Sequence, residues 1–212
     1  KSNRLIVGAI YDDTRGENSG SAYLYEYNDN TWNLTEKICP EHLASMDLFG
    51  FSVTLNNDYL AISAPQSNLS NTQAGTVDVF SLIEDEFLEF NTIFPEDLNQ
   101  YNHFGHSLAM DSDFLVIGSI YDDDGNINSG SVYIYRLNEN FWTYQSELFA
   151  SDGNANDNFG LSLSLYDNWL SVGTIDDDNG IDSGSLYLFQ NIENNFVVES
   201  LHPKSEITSS LV

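Results

Sequence analysis

The chain has 212 residues, 33 of them acidic and 6 basic, for a formal net charge of −27. That balance excludes nucleic acid and disfavours an anionic membrane surface, since both are recognised through a basic footprint; divalent cations and basic protein surfaces are its natural counterparts. The single cysteine excludes an intrachain disulfide, and no apolar run is long enough to span a bilayer, so this segment predicts no membrane insertion.

The first predicted strand is Leu5-Ile6-Val7-Gly8-Ala9. An acidic loop follows, Tyr11-Asp12-Asp13-Thr14-Arg15-Gly16-Glu17-Asn18, then a second strand, Ser21 to Tyr25, and another through Trp32. Cys39 stands near the end of that strand and is expected to be a buried, inert thiol. A Phe-Gly pair at 49–50 then opens a fuller cycle. An inner strand begins there, and the next strand is Leu60 to Ala64. A polar loop from Gln66 to Asn71 follows, then Thr76 to Phe80 and a strand through Phe87–Phe90. The cycle returns at Phe104-Gly105 with Leu115 to Ser119, Ser131 to Tyr135 and Phe141–Tyr144. It returns again at Phe159-Gly160 with Leu170 to Thr174, Ser185 to Phe189 and Phe196–Val198. Runs of about five residues, rich in branched and aromatic side chains and closed by Gly, Asn, Asp or Ser, predict strands.

The Phe-Gly pairs are 55 residues apart each time. A second landmark keeps the same beat: Ser19-Gly20-Ser21, Ala74-Gly75-Thr76, Ser129-Gly130-Ser131 and Ser183-Gly184-Ser185, with steps of 55, 55 and 54. Matching landmarks at one period indicate a repeat architecture. Four strands in roughly 50 residues is the size of one propeller blade. The predicted fold is therefore all-β, a β-propeller of four-stranded antiparallel blades, with units at about 1–48, 49–103, 104–158 and 159–212. Phe49, Phe104 and Phe159 are expected to pack between blades, with Leu115, Val116, Ile117, Val132 and Ile134 in the core. Gly50, Gly105 and Gly160 are expected where blades crowd the channel, and Gly20, Gly75, Gly130 and Gly184 where φ > 0 or close backbone approach is needed.

These landmarks resemble the FG-GAP repeat, the blade of the integrin alpha-chain N-terminal propeller and of its microbial relatives. Phe-Gly at 49, 104 and 159 corresponds to the first half of the motif. Gly8-Ala9-Ile10 and Ser63-Ala64-Pro65 correspond to the second, with Gly118-Ser119-Ile120 and Gly173-Thr174-Ile175 as degenerate forms. The resemblance covers nearly the whole chain. It implies a propeller, about seven-bladed in the family, of which 1–212 is expected to be a part, and an extracellular or cell-surface location. It also implies a role in adhesion.

The candidate functional residues lie in the acidic loops. Asp122, Asp124, Asn126 and Asn128 alternate around a glycine, as do Asp176, Asp178 and Asp182. Oxygen ligands spaced this way suit a hard cation, and Ca²⁺ is the expected ion, although the bidentate Glu of an EF-hand is missing. Asp and Asn also make turns through side-chain bonds to the backbone, and that reading stands beside the metal-binding one. The family places its calcium loop between the Phe-Gly strand and the next strand. Here that connection is a tight turn, Asn56-Asn57-Asp58 or Asp111-Ser112-Asp113, and the acidic runs come one connection later. In an up-and-down blade this later connection shares a rim with the segment leading into the next blade. Asn33-Leu34-Thr35 and Asn68-Leu69-Ser70 have the form of N-glycosylation acceptors. His42, His103, His106 and His202 form no zinc-ligand spacing, and no nucleophile elbow or triad order is present. The predicted function is a non-enzymatic extracellular module that binds a protein or glycan ligand through its acidic loops. The alternative is a structural subunit that self-associates into a surface or filamentous assembly.

Overall fold

The computed structural model describes residues 3–69, 72–83, 86–94, 100–175 and 184–199. Among the described residues fifteen strands form four antiparallel sheets, each a meander in which chain neighbours pair. The first sheet has three strands, β1 (Arg4–Ala9), β2 (Ser21–Asn28) and β3 (Thr31–Ile38). The second has four: β4 (Val53–Leu55), β5 (Tyr59–Ala64), β6 (Thr76–Ile83) and β7 (Glu86–Ile93). The third contains β8 (Phe104–Asp111), β9 (Phe114–Ser119), β10 (Ser131–Asn138) and β11 (Phe141–Leu148). The fourth contains β12 (Ser162–Tyr166), β13 (Trp169–Gly173), β14 (Leu186–Ile192) and β15 (Asn195–Glu199). These are the predicted blades.

The sheets pack face to face in chain order, and three apolar clusters fill the spaces between them. Ile6, Ala22 and Leu24 of the first sheet meet Leu60, Ile62 and Phe80 of the second. Val77 and Val79 meet Leu115, Ile117 and Tyr133. Val116, Val132 and Ile134 meet Leu170, Val172 and Phe189. Successive residues of the central strands β5, β9 and β10 are buried, because both faces of each interior sheet are covered. The expected core residues Leu115, Val116, Ile117, Val132 and Ile134 are all fully buried.

The two landmarks share a period because they touch across the blade boundary. Phe49 N donates to Ser19 O at 2.9 Å, Phe104 N to Ala74 O at 2.8 Å and Phe159 N to Ser129 O at 2.8 Å. Each Phe-Gly backbone is thereby latched to the glycine landmark of the blade before it, Ser-Gly-Ser in the first and third blades and Ala-Gly-Thr in the second. The three phenylalanine rings are wholly buried. Phe104 sits edge-on to Tyr133 at 5.3 Å, and Phe159 edge-on to Tyr187 at the same distance. The latch requires glycine: at Gly130, φ is +79° and an added Cβ would lie 2.3 Å from Phe159 O. The structure also corrects one expectation. Phe49-Gly50 and Phe159-Gly160 do not begin their inner strands, which start at Val53 and Ser162. Phe104, whose amide makes the same bond to the preceding blade, does begin β8, so the third blade meets the expectation.

A register shift recurs between the third and fourth strands of the repeat, at Leu24/Tyr25, Val79/Phe80 and Ile134/Tyr135. Such bulges increase twist. Cys39 is half-buried at the edge of the first apolar cluster rather than fully enclosed.

Candidate functional site

The β1–β2 and β9–β10 loops, 10–20 and 120–130, are built alike, by acidic side chains that cap the loop's own amides. Asp13 Oδ1 accepts from Asn18 N at 2.8 Å, and Asp123 Oδ1 from Asn128 N at 2.6 Å. In the second blade Asn68 Oδ1 does the same for Gln73 N at 3.0 Å. The residue before each also turns the chain: Asp12 Oδ1 accepts from Thr14 N at 2.9 Å and Asp122 Oδ1 from Asp124 N at 3.1 Å. Turn-making therefore accounts for Asp13 and Asp123.

Each such loop joins the segment that leads into the following blade. Met46 N donates to Glu17 O at 2.8 Å, Tyr101 N to Thr72 O at 2.9 Å and Asn156 N to Ile127 O at 2.9 Å. The two sets of acidic connections converge on one rim, as up-and-down topology requires.

The third blade adds a carboxylate that the loop pattern alone does not reveal. Ligand oxygens of Asp122, Asp124 and Glu147 all lie within 4.8 Å of one another. Asp122 is buried, 1% exposed, and its Oδ2 accepts from Asn102 Nδ2 at 3.0 Å and from Tyr133 OH at 2.9 Å. Glu147 arrives from β11, directly opposite Tyr133 of β10. Its Oε1 is buried and has no hydrogen-bond partner. Asn126 Nδ2 donates to Gly153 O at 3.3 Å. Asn128 N and Nδ2 serve Asp123 and Asn156. Asp176, Asp178 and Asp182 lie outside the described residues. Among those described, no histidine joins a cluster of three ligand atoms.

Burial, followed by the neighbouring charges of Asp122 and Asp124, pushes the Glu147 carboxyl up to about 7, against the opposing effect of Ser131 and Tyr133. Glu147 thus holds its proton to higher pH in the native protein than in the unfolded chain. Its stabilisation is complete below the unfolded value and is lost as pH rises through about 7. Discounted for solvent screening, the loss is on the order of 1–2 kcal/mol. In chelator, the melting temperature is expected to fall between about pH 5 and about pH 8, and Glu147→Gln is expected to flatten that fall. An unchanged slope in the variant would remove Glu147 as its source.

The other blades treat this position differently, and β-register makes the comparison direct. Lys37 stands opposite Tyr23 in the first blade, Thr92 opposite Asp78 in the second and Glu147 opposite Tyr133 in the third. Lys37 Nζ lies 2.8 Å from Asp12 Oδ2 and 2.6 Å from Thr14 Oγ1, and Tyr23 OH donates to the same Asp12 oxygen at 3.1 Å. The Lys37 ammonium, with Thr14 assisting, holds the Asp12 carboxyl far below its usual range. In the second blade Thr92 Oγ1 donates to Asp78 Oδ1 at 2.7 Å, and His42 Nε2 lies 3.1 Å from Asp78 Oδ2. Aligning the repeats at strand register, rather than searching for a local motif, would have exposed Glu147.

The candidate glycosylation asparagines Asn33 and Asn68 are both exposed. Asn33 lies on β3, where its Nδ2 donates to Asn28 Oδ1 and Thr31 O. Ser70, which completes the second triplet, lies outside the described residues.

The family model of the FG-GAP repeat matches residues 1–25, 32–80, 87–135 and 142–189. A search of curated proteins returns no match.

Proposed function

The chain belongs to the FG-GAP repeat family, and from that premise we propose that it is a non-enzymatic binding module, outside the cell or at its surface, whose acidic rim engages a protein or glycan ligand. One observation carries this reading. The loops 10–20 and 120–130 are each bonded to the segment leading into the next blade, so each blade presents the carboxylates of both connections on the same rim. Beside the 120–130 loop a cleft of about 390 Å³ is lined by Gly125, Ser129, Phe149 and Asp152, which places an exposed aromatic ring next to acidic groups. Aromatic faces beside hydrogen-bonding acids suit sugars and basic peptides alike. FG-GAP repeats are typical of extracellular or surface proteins, which supports the location.

The test uses arrays of glycans and basic peptides. Asp122 is unsuitable for substitution because it supports Asn102 and Tyr133. Glu17, Asp123 and Asp124 are exposed, and amides at these positions retain the turn-capping oxygens. The triple variant Glu17→Gln, Asp123→Asn, Asp124→Asn is expected to bind about tenfold more weakly, and wild-type binding is expected to weaken with salt. Salt-independent binding that survives the three substitutions would refute an acidic-rim interface. Ordered fibres of the native protein that assemble equally well with the variant would favour a structural role.

A further inference from the structure

The geometry points to a divalent-cation site, suited to Ca²⁺, held by the carboxylates of Asp122, Asp124 and Glu147 at the place that the Lys37 ammonium fills in the first blade. This inference is independent of what partner the rim takes.

The argument begins with the exchange of charge between equivalent positions. In the first blade one carboxylate, Asp12, faces one ammonium, Lys37, and a hydroxyl, Thr14. In the third blade the equivalents are Asp122, Glu147 and Asp124, so the built-in cation has become an anion and the neutral group another. The supporting frame is retained. Tyr133 OH donates to Asp122 at 2.9 Å as Tyr23 OH donates to Asp12 at 3.1 Å. The frame thus holds a cation in one blade and presents three carboxylates in the other.

Like charges this close repel unless a proton or a cation intervenes. No basic side chain among those described does so. Arg4 pairs with Glu26, Arg136 with Asp113 and Lys37 with Asp12, while Arg15 donates to Cys39 O.

Two buried oxygens provide the independent observation. Glu147 Oε1 has no hydrogen-bond partner. Ser131 is wholly buried on the same strand face as Tyr133, and its Oγ makes no hydrogen bond of acceptable geometry, although it lies close enough to Glu147 to favour the charged carboxylate. Ser21, at the corresponding position of β2, is buried and unpartnered in the same way.

The donor set is all oxygen, with no thiolate and no imidazole among the three residues, which suits Ca²⁺ and argues against Zn²⁺. Three carboxylates with a hydroxyl nearby favour Ca²⁺ over Mg²⁺, which keeps most of its water and takes one or two protein carboxylates.

Tb³⁺ is the probe, because its luminescence is sensitised by a nearby tyrosine and Tyr133 is bonded to Asp122. The full chain is expected to give a saturable tyrosine-sensitised signal that Ca²⁺ displaces more effectively than Mg²⁺. Glu147→Lys, which installs the first blade's own cation, is expected to lower the affinity by about 100-fold or more and to raise the melting temperature measured in chelator. Glu147→Gln keeps the side-chain shape, so it tests the site even if the lysine variant fails to fold, and about a tenfold loss is expected. Asp29→Asn, at an exposed acid in the turn between β2 and β3, is expected to leave the signal unchanged. A saturable signal of equal affinity in wild type and both Glu147 variants, or no saturable signal in the wild type, would overturn the site.

Discussion

Phe104→Ala is expected to destabilise the protein by about 3–5 kcal/mol, a large share of the roughly 5–15 kcal/mol that holds an ordinary domain together. The ring is wholly buried between the second and third sheets and packs edge-on against Tyr133 and Tyr135. Truncation leaves a cavity bounded by two sheets, whose backbone ladders hold them apart. The backbone latch to Ala74 survives the change, so the loss reports the ring alone. Tyr166, 79% exposed on β12, is the control, and Tyr166→Ala is expected to change stability by less than about 0.5 kcal/mol. Urea unfolding measures both. Equal effects from the two would mean that Phe104 does not join the blades.

Gly130→Ala is expected to cost on the order of 3 kcal/mol, from a left-handed backbone that an L side chain resists and from overpacking against the next blade. With φ at +79°, the new Cβ would stand 2.3 Å from Phe159 O and 2.5 Å from Phe159 N, the amide that donates to Ser129 O. The methyl group cannot be relieved by a rotamer change, since backbone atoms oppose it. Either the latch opens or the third and fourth blades separate. Gly153→Ala is the comparison: there φ is not left-handed and the nearest neighbour, the Ala150 methyl at 3.2 Å, can give way. Hydrogen exchange is expected to show faster exchange of the Phe159 amide in Gly130→Ala and little change in Gly153→Ala. Unchanged protection at Phe159 would show that the latch carries no stability.

These two residues also show why the fold was legible in the sequence. Phe-Gly and Ser-Gly-Ser recur on one period because each pair is a single contact between consecutive blades, so spacing in sequence records spacing in the stack. The alternation of Leu115-Val116-Ile117 with Val132 and Ile134 was equally plain, since interior sheets are apolar on both faces. The start of the inner strand was legible at Phe104, which begins β8, and not in the second and fourth blades, where the strands start at Val53 and Ser162. All three phenylalanine amides bond to the preceding blade, so that contact does not separate the blade whose strand begins at the ring from the two whose strands begin later.

The candidate site was half legible. Asp122 and Asp124 stand out in an acidic loop, whereas Glu147 lies on a different strand in an unremarkable stretch, Gln145-Ser146-Glu147-Leu148. Pairing of β10 with β11 brings it opposite Tyr133, and only the comparison with Lys37 and Thr92 gives that position meaning.

The central claim is that the third blade takes from solution the positive charge that the first blade carries in Lys37. The most direct measurement is a crystal structure of the chain grown with Mn²⁺, a divalent ion that oxygen ligands accept and whose anomalous scattering locates it. The account predicts an anomalous peak among Asp122, Asp124 and Glu147, at coordination distance from a carboxylate oxygen of each, and none beside Asp12 and Lys37. Absence of a peak at the Asp122–Glu147 cluster in crystals saturated with the ion would contradict the account, as would a peak beside Lys37.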